Sequence, residues 1–347
     1  MKVGLVGFSG SGKSTVFQWL TDVLPDPSRV QHGQTGIAKL PDPRLDAIAA
    51  HFRPKKTTPA EIAFLDTPGL LLDERKDNPR RLSILRESNG LVVVLDGFSA
   101  ANFTEQLRKF REELLFADLE IVTNRVERLH SQLKKPRSAK DKERDEAELV
   151  LLQRVVTAFE AGRSAASLGL SGEEEKQVRS FQLLTLKPEL VFVNRGDAEA
   201  LKTMLPANLL ATAPSALQAA PKLELEVAEL PEEDRAAFLA DLGLKESDRA
   251  TVLQTIFATM GQIVFFTVGE DECRAWPIPK GADAVEGAGQ IHTDFAKRFV
   301  RAEVVHYDDF VKCDYSMKEA KAKGVYRLEG KTYIAHDGDI MHILASS

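Results

Sequence analysis

The stretch that most narrows what this chain can fold into is Lys2 to Thr15, KVGLVGFSGSGKST. Val3, Leu5 and Val6 make a short apolar strand, and Gly7 to Ser14 then spell G-x-x-x-x-G-K-S, followed by Thr15. Gly7, Gly10 and Gly12, with Ser9 and Ser11 between them, let consecutive backbone N–H groups turn inward around a phosphate with no Cβ in the way. The helix expected next, with Val16, Phe17, Leu20, Val23 and Leu24 on its apolar face, points its positive dipole end at the same spot. Lys13 can then reach the β- and γ-phosphates, and the Ser14 hydroxyl can coordinate Mg2+. A plain Gly/Ser turn would not need strand, loop and amphipathic helix in this order. The expected fold is α/β: a P-loop domain with a mostly parallel sheet.

Further elements fall where such a domain needs them. Pro25 to Gly36 has several breakers and no periodicity, so it reads as a loop at the place of a first nucleotide-sensing segment, where Thr35 could offer its hydroxyl to Mg2+. Ile62 to Leu65 read as a strand ending in Asp66-Thr67-Pro68-Gly69. Asp66 is placed to hold Mg2+ through water, and the Gly69 N–H to meet a γ-phosphate. Leu70 follows, at the position where many small GTPases carry a glutamine that orients the attacking water. An aliphatic side chain cannot do that, so slow turnover is expected. Leu91 to Leu95 and Leu190 to Val193 are apolar runs suited to strands buried on both faces. The second runs into Asn194-Arg195-Gly196-Asp197. There Asn194 would brace the loops, the planar Arg195 guanidinium would stack on a base, and Asp197 would pair with ring N–H groups. Leu209 to Ala213 reads as another strand, with Ala220 and Pro221 as a backbone loop over the base.

Between these segments the period changes. Leu115, Leu119, Val122, Val126, Leu129 and Leu133, then Leu149, Leu152, Val156 and Phe159, predict two helices packed as an antiparallel hairpin. Its expected turn, Lys134 to Glu146, carries Lys134, Lys135, Arg137, Lys140, Lys142 and Arg144, a charge run that is either a solvated tip or a contact for RNA phosphate. Helices are expected over Pro231–Leu242 and over Ser247–Met260, the latter capped by Ser247. From Ile263 strands dominate, with a helix around Ala284 to Phe299 and a late strand over Tyr333–Ala335. The pattern divides the chain into a P-loop domain (1–102 and 183–262), an inserted helical hairpin (103–182) and a C-terminal α+β domain (263–347). Cys273 and Cys313 lack metal-ligand spacing and read as reduced thiols of a cytoplasmic protein. The net charge of -6 argues against a chain that coats nucleic acid indiscriminately. No apolar run approaches the ~18 residues needed to span a membrane.

Longer stretches carry a resemblance. LPDPRLDAIAAHFRPKKTTPAEIAFLD (Leu40 to Asp66), ADLEIVTNRVERL (Ala117 to Leu129), LLTLKPEL (Leu183 to Leu190), AWPIPKGADAVEGAGQIHTDFAKRFVRAEVVHYDDF (Ala275 to Phe310) and RLEGKTYIAHDGDIMHI (Arg327 to Ile343) are similar to the YchF-type branch of the Obg-related P-loop GTPases. The resemblance implies a G domain, an inserted helical hairpin, a C-terminal ubiquitin-like TGS domain, association with ribosomes or structured RNA, and slow nucleotide hydrolysis. A monomer with no membrane or sequence-specific DNA partner is expected, holding Mg2+ and GTP/GDP or ATP/ADP.

The chain departs from this family at its nucleotide machinery. Gly10 stands where family P-loops carry an Asn, Val30 aligns with the family's first-switch Thr, and Gly97 to Thr104 has no His. LLDERKDNPRRL replaces the glycine-rich segment after Gly69, and NRGD replaces the NxxE of relatives that accept ATP. An Asp in that last position favours GTP. Two other readings stand beside a slow NTPase switch. One is a nucleotide-gated binding protein with negligible turnover, and the other is a small-molecule phosphotransferase, which the NRGD and the C-terminal domain disfavour.

Overall fold

The computed structural model describes residues 1–30, 32–71, 75–99, 102–242 and 249–346. The chain folds as two compact units. One comprises Lys2–Gly36 and the described residues of Phe64–Ser247; the other comprises Met1, Ile37–Ala63 and the described residues of Asp248–Ser347. Residues 37–63 and 249–262 thus pack with the segment that follows position 263.

The first sheet holds β1 (Lys2–Val6), β2 (Gln34–Lys39), β4 (Glu61–Asp66), β5 (Gly90–Asp96), β6 (Glu189–Asn194) and β7 (Leu217–Ala219) in the order β2-β4-β1-β5-β6-β7; the short β3 (Lys56–Thr58) belongs to the second unit. Strands β1, β5, β6 and β7 pair in parallel, with Val6 beside Val93, Asp96 beside Asn194 and Asn194 beside Ala219. These registers bring the carboxyl ends of β1, β5 and β6 to one edge, where ligands of open α/β sheets bind. The sheet can be so apolar because both faces are covered: Val93, Leu95, Val191 and Val193 pack against Leu107, Phe110 and Leu114 on one side. On the other side Trp19 of α1 (Lys13–Thr21) stands against Phe192, with ring centroids 6.0 Å apart.

The residues around β2 form more than the expected loop, since Pro27–Val30 turn helically and β2 starts at Gln34. Leu209–Ala213 is not a strand. Ala207–Thr212 is helical and buries Leu209, and the strand comes later as β7. Short apolar runs do not separate the two periods, so tertiary packing decides.

The helical hairpin is α4 (Phe103–Leu133) and α5 (Ala139–Glu160), where α2 is Pro43–Phe52 and α3 is Asn78–Ser83. Val122, Leu129, Leu152, Val155 and Phe159 fill its seam, and Arg125 clamps Glu148 with two bonds of 2.7 Å. The turn is shorter than expected, because the Ser138 hydroxyl caps α5 by accepting from the Asp141 N–H and the charged residues after it are helical. Of the cations at the tip, Arg137 pairs with Asp145, Lys142 with Glu146 and Arg144 with Asp141; Lys134, Lys135 and Lys140 have no ion pair among the described residues. Asp118, fully buried on α4, fastens the hairpin base by accepting from Arg86, from the Leu184 and Thr185 amides and from the Thr185 hydroxyl.

In the second unit the sheet order is β11-β10-β12-β8-β9-β3, with β8 (Gln262–Thr267), β9 (Glu272–Pro279), β10 (Phe299–His306), β11 (Arg327–Glu329) and β12 (Asp339–Ala345). It is mixed: β12 runs parallel to β8, and β3 parallel to β9. The helix expected over 284–299 breaks at His292, whose ring caps the next turn, and residues from Phe299 are already in β10. Tyr333–Ala335 contributes only an isolated bridge, Ile334 to Asp283. The expected cap Ser247 lies outside the described residues.

Candidate functional site

The glycine-rich loop leaves β1 through Gly7 (φ 147°), Gly10 (φ 83°) and Gly12 (φ 82°). The last two occupy the left-handed region that only glycine enters without strain. At Gly12 a Cβ would also collide with the Asn194 side-chain nitrogen. Gly12 starts α1 with no side-chain cap, so the first amides of the helix remain available to an anion. Ser9 and Gly10 are exposed, whereas Ser11 and Lys13 are buried and Ser14 and Thr15 are half-buried.

Lys13 is only 6% exposed and donates to the Phe8 carbonyl (2.9 Å). Burial lowers its pKa from 10.5 to about 8, partly offset by the charge of Asp66. Asp66 is fully buried, and burial pushes its carboxyl upward; the nearby Ser14 hydroxyl, the Lys13 charge and the Thr67 amide pull the other way. Neither Asp66 oxygen has a hydrogen-bond partner of good geometry. Among the described residues the buried side-chain polar atoms without a partner are Ser11 Oγ, Asp66 Oδ1 and Asp66 Oδ2. All of them lie at the P-loop, and such atoms are costly to bury unless something else meets them.

The segment after Asp66 lies on the loop. The Ser9 N–H donates to the Leu70 carbonyl (2.9 Å), and the Leu70 N–H to the Gly7 carbonyl (3.0 Å). Gly69 sits so close that a Cβ there would lie 2.6 Å from Ser9 Cα and 2.9 Å from Lys13 Nζ. The Leu70 side chain, 3% exposed, points into the core with Leu65 and Leu82, so its part at the site is confined to its backbone. Asn78 accepts from the Leu71 N–H (3.0 Å) and donates to the Leu71 carbonyl (2.9 Å) and to Glu113 of α4 (2.8 Å).

At the end of β6 the buried Asn194 donates to the Ser11 carbonyl (3.0 Å), the bracing role read from its position. Arg195 is not presented for stacking on a base. Its guanidinium bonds Gln218 (3.0 and 2.9 Å) and lies 5.0 Å over the Phe103 ring, a brace beneath the loop. Asp197 is exposed and spends one oxygen on the Ala200 N–H (2.8 Å), which caps the next helix. Ala220 and Pro221 come beside this loop through the β6–β7 pairing, both buried at the start of the following helix. Thr35 is not brought to Ser14 and Asp66. Its neighbours Gln34 and Gly36 touch Leu24, Phe17 and Thr21, toward the far end of α1.

One aromatic residue was not foreseen. Phe98 is 52% exposed, yet its ring edge lies 3.6 Å from where a Gly12 Cβ would be, and Gly196 has no room for a Cβ beside it (2.9 Å). Asp96 holds this turn by accepting from the Phe98 and Ser99 amides (3.0 and 2.9 Å). An exposed phenyl face thus lies between the P-loop and Asn194–Asp197.

Residues 2–125 match the family described as "50S ribosome-binding GTPase", and residues 262–346 match YchF-GTPase_C, described as "Protein of unknown function (DUF933)". The chain is 33% identical over 366 residues to "Ribosome-binding ATPase YchF" of Bacillus subtilis, covering 99% of this chain and 98% of that protein. It is also 33% identical over 361 residues to the Haemophilus influenzae protein of the same name, with 98% of both covered. The chain belongs to the YchF family. A solved relative, "Structure of the Schizosaccharomyces pombe YchF GTPase", superposes with a TM-score of 0.83 at 26% identity, covering 99% of this chain and 97% of that one.

A YchF-family P-loop implies Mg2+ and a nucleotide, and the residues here fit both. Asp66 and Ser14 supply hard oxygen donors, which Mg2+ prefers, and the unpartnered Asp66 oxygens need a cation or its waters. The loop amides, the uncapped α1 terminus and Lys13 suit phosphate. When bound, Mg2+ would neutralise charge developing on the phosphates.

Proposed function

We propose that this protein is a Mg2+-dependent P-loop nucleoside triphosphatase of slow turnover that hydrolyses GTP and also accepts ATP. The observation that carries this reading is the buried Lys13 beside Asp66, whose two oxygens, like Ser11 Oγ of the same loop, are buried and unpartnered among the described residues. In this reading Gly7, Ser9, Gly10, Ser11, Gly12 and Thr15 cradle the phosphates, Lys13 holds the β- and γ-phosphates, and Ser14 and Asp66 hold Mg2+. The Gly69 N–H would meet the γ-phosphate once Leu70 releases Ser9. Asp197 keeps one oxygen for a purine N–H and Phe98 offers a face to any base, so discrimination between guanine and adenine is modest. The names of its relatives, one an ATPase and another a GTPase, agree with such tolerance.

Ribosome docking follows from the relatives named "Ribosome-binding ATPase". Lys134, Lys135 and Lys140 of the hairpin tip, without an ion pair among the described residues, are the surface best suited to RNA phosphate, and residues 263–347 act as the TGS-like domain. Negligible turnover is favoured by one observation, the withdrawal of Leu70 into the core. Steady-state release of phosphate from Mg-GTP and Mg-ATP, with Lys13→Ala as control, separates the two. Slow release that the substitution abolishes supports the triphosphatase, and release equal to that of Lys13→Ala leaves a nucleotide-gated binding protein.

A further inference from the structure

We infer that Arg81 is a catalytic residue of this site, a cation supplied in cis to the γ-phosphate in place of a water-orienting glutamine. The inference rests on the triphosphatase reading above. Arg81 lies on α3, in the charged segment that follows Gly69 and Leu70. Its Nη1 donates to the Gly69 carbonyl (3.0 Å). Gly69 is the residue whose missing Cβ lets Lys13 Nζ approach, so two cations flank one glycine, each resting on a neutral carbonyl: Lys13 on Phe8 and Arg81 on Gly69.

Arg81 is half-buried and has no carboxylate partner among the described residues, unlike Arg86, Arg111 and Arg125, each paired with an acid. A guanidinium has five N–H donors in a fixed fork, and one bond to a carbonyl leaves most of them free. The helix that carries it is anchored on both sides of Arg81. Asn78 is fully buried and bonded to both Leu71 backbone groups, and Leu82 is in the core. The side chain therefore hangs from a fixed base and needs only its own rotamers to turn from Gly69 to a phosphate.

In hydrolysis the water oxygen bonds to the γ-phosphorus while the bond from that phosphorus to the β–γ bridging oxygen breaks. The electron pair stays on the nucleoside diphosphate, and the water's protons leave with the inorganic phosphate. Negative charge grows on the bridging oxygen and spreads over the γ-oxygens, and a guanidinium beside Gly69 meets it there. The bland alternative is a clamp: Arg81 merely fastens Gly69.

The test uses the full-length protein, Arg81→Ala and Arg81→Lys, and two readouts. The first is single-turnover hydrolysis of Mg-GTP. The second is the affinity for Mg-GDP with and without aluminium fluoride, which completes a transition-state mimic and is readable even where turnover is negligible. The expected result for Arg81→Ala is a rate loss on the order of a thousandfold. GDP affinity and melting temperature should stay near wild type, the gain in affinity from aluminium fluoride should disappear, and Arg81→Lys should restore only part of either. Three results overturn the inference: an unchanged rate and fluoride gain in Arg81→Ala, a parallel fall in GDP affinity and melting temperature (a clamp), or a wild type that binds Mg-GDP but gains nothing from aluminium fluoride. A wild type that binds no Mg-GDP at all overturns the triphosphatase reading itself, a result visible before any substitution is compared.

Discussion

Replacing Lys13 with methionine should stabilise the nucleotide-free protein while abolishing its affinity for nucleotide. Lys13 is kept where its charge is disfavoured, since burial lowers its pKa from 10.5 to about 8. Each pKa unit corresponds to about 1.4 kcal/mol, so carrying the charge into the loop costs roughly 3 kcal/mol. Because the folded value lies below the unfolded one, the folded protein binds fewer protons between about pH 8 and pH 10.5, and stability rises with pH across that window. The cost is full below pH 8 and gone near pH 10.5. Methionine has a similar reach and no charge, so it removes the cost at every pH. At about 2–4 °C per kcal/mol for a unit of this size, Lys13→Met should melt about 5 °C or more above wild type at pH 7 without nucleotide. That gap should shrink as the pH approaches 10. With Mg-GTP at 100-fold over its dissociation constant, wild type should gain about 2.7 kcal/mol and the variant nothing. Differential scanning calorimetry at several pH values reads all of this. A Lys13→Met protein that melts below wild type at pH 7, or a gap that does not narrow with pH, would refute the reasoning.

Two further outcomes follow from the same geometry. Gly12→Ala meets both a φ of 82° and the Asn194 amide, so it should lose nucleotide binding and the Asn194–Ser11 bond together; titration calorimetry on the folded variant checks this, and retained affinity would mean the loop has another shape. Phe98→Ala removes the exposed platform over Gly12 and Gly196 and should weaken GTP and ATP alike by about 1–3 kcal/mol, with no loss of melting temperature. A loss confined to one base would assign Phe98 to base reading instead.

What could be read from the chain alone was local chemistry. The P-loop was legible because its glycines, lysine and serine serve one backbone geometry within a few residues. Asp66 was legible because it ends an apolar strand, and the hairpin because its heptads persist over long helices. Arg195 was misjudged for a tertiary reason, since Gln218 and Phe103, distant in sequence, claim its guanidinium. Thr35 was placed by its rank after the P-loop, but β2 carries it toward the far end of α1. Phe98 and Arg81 carried no local signal: an aromatic after a strand reads as core, and one arginine in a charged segment reads as solvated. Only the approach of Gly12, Gly196 and Gly69 to these side chains sets them apart.

The most direct test of the central claim, that the buried and unpartnered atoms at the P-loop exist to hold a Mg-nucleotide, is the equilibrium affinity of the purified protein for GTP, GDP, ATP and ADP with and without Mg2+, compared with Asp66→Asn. Triphosphates of both purines should bind, Mg2+ should strengthen their binding in wild type, and Asp66→Asn should abolish the Mg2+ gain while keeping weaker metal-free binding. Affinity for no nucleotide, or a Mg2+ gain that survives Asp66→Asn, would contradict the claim.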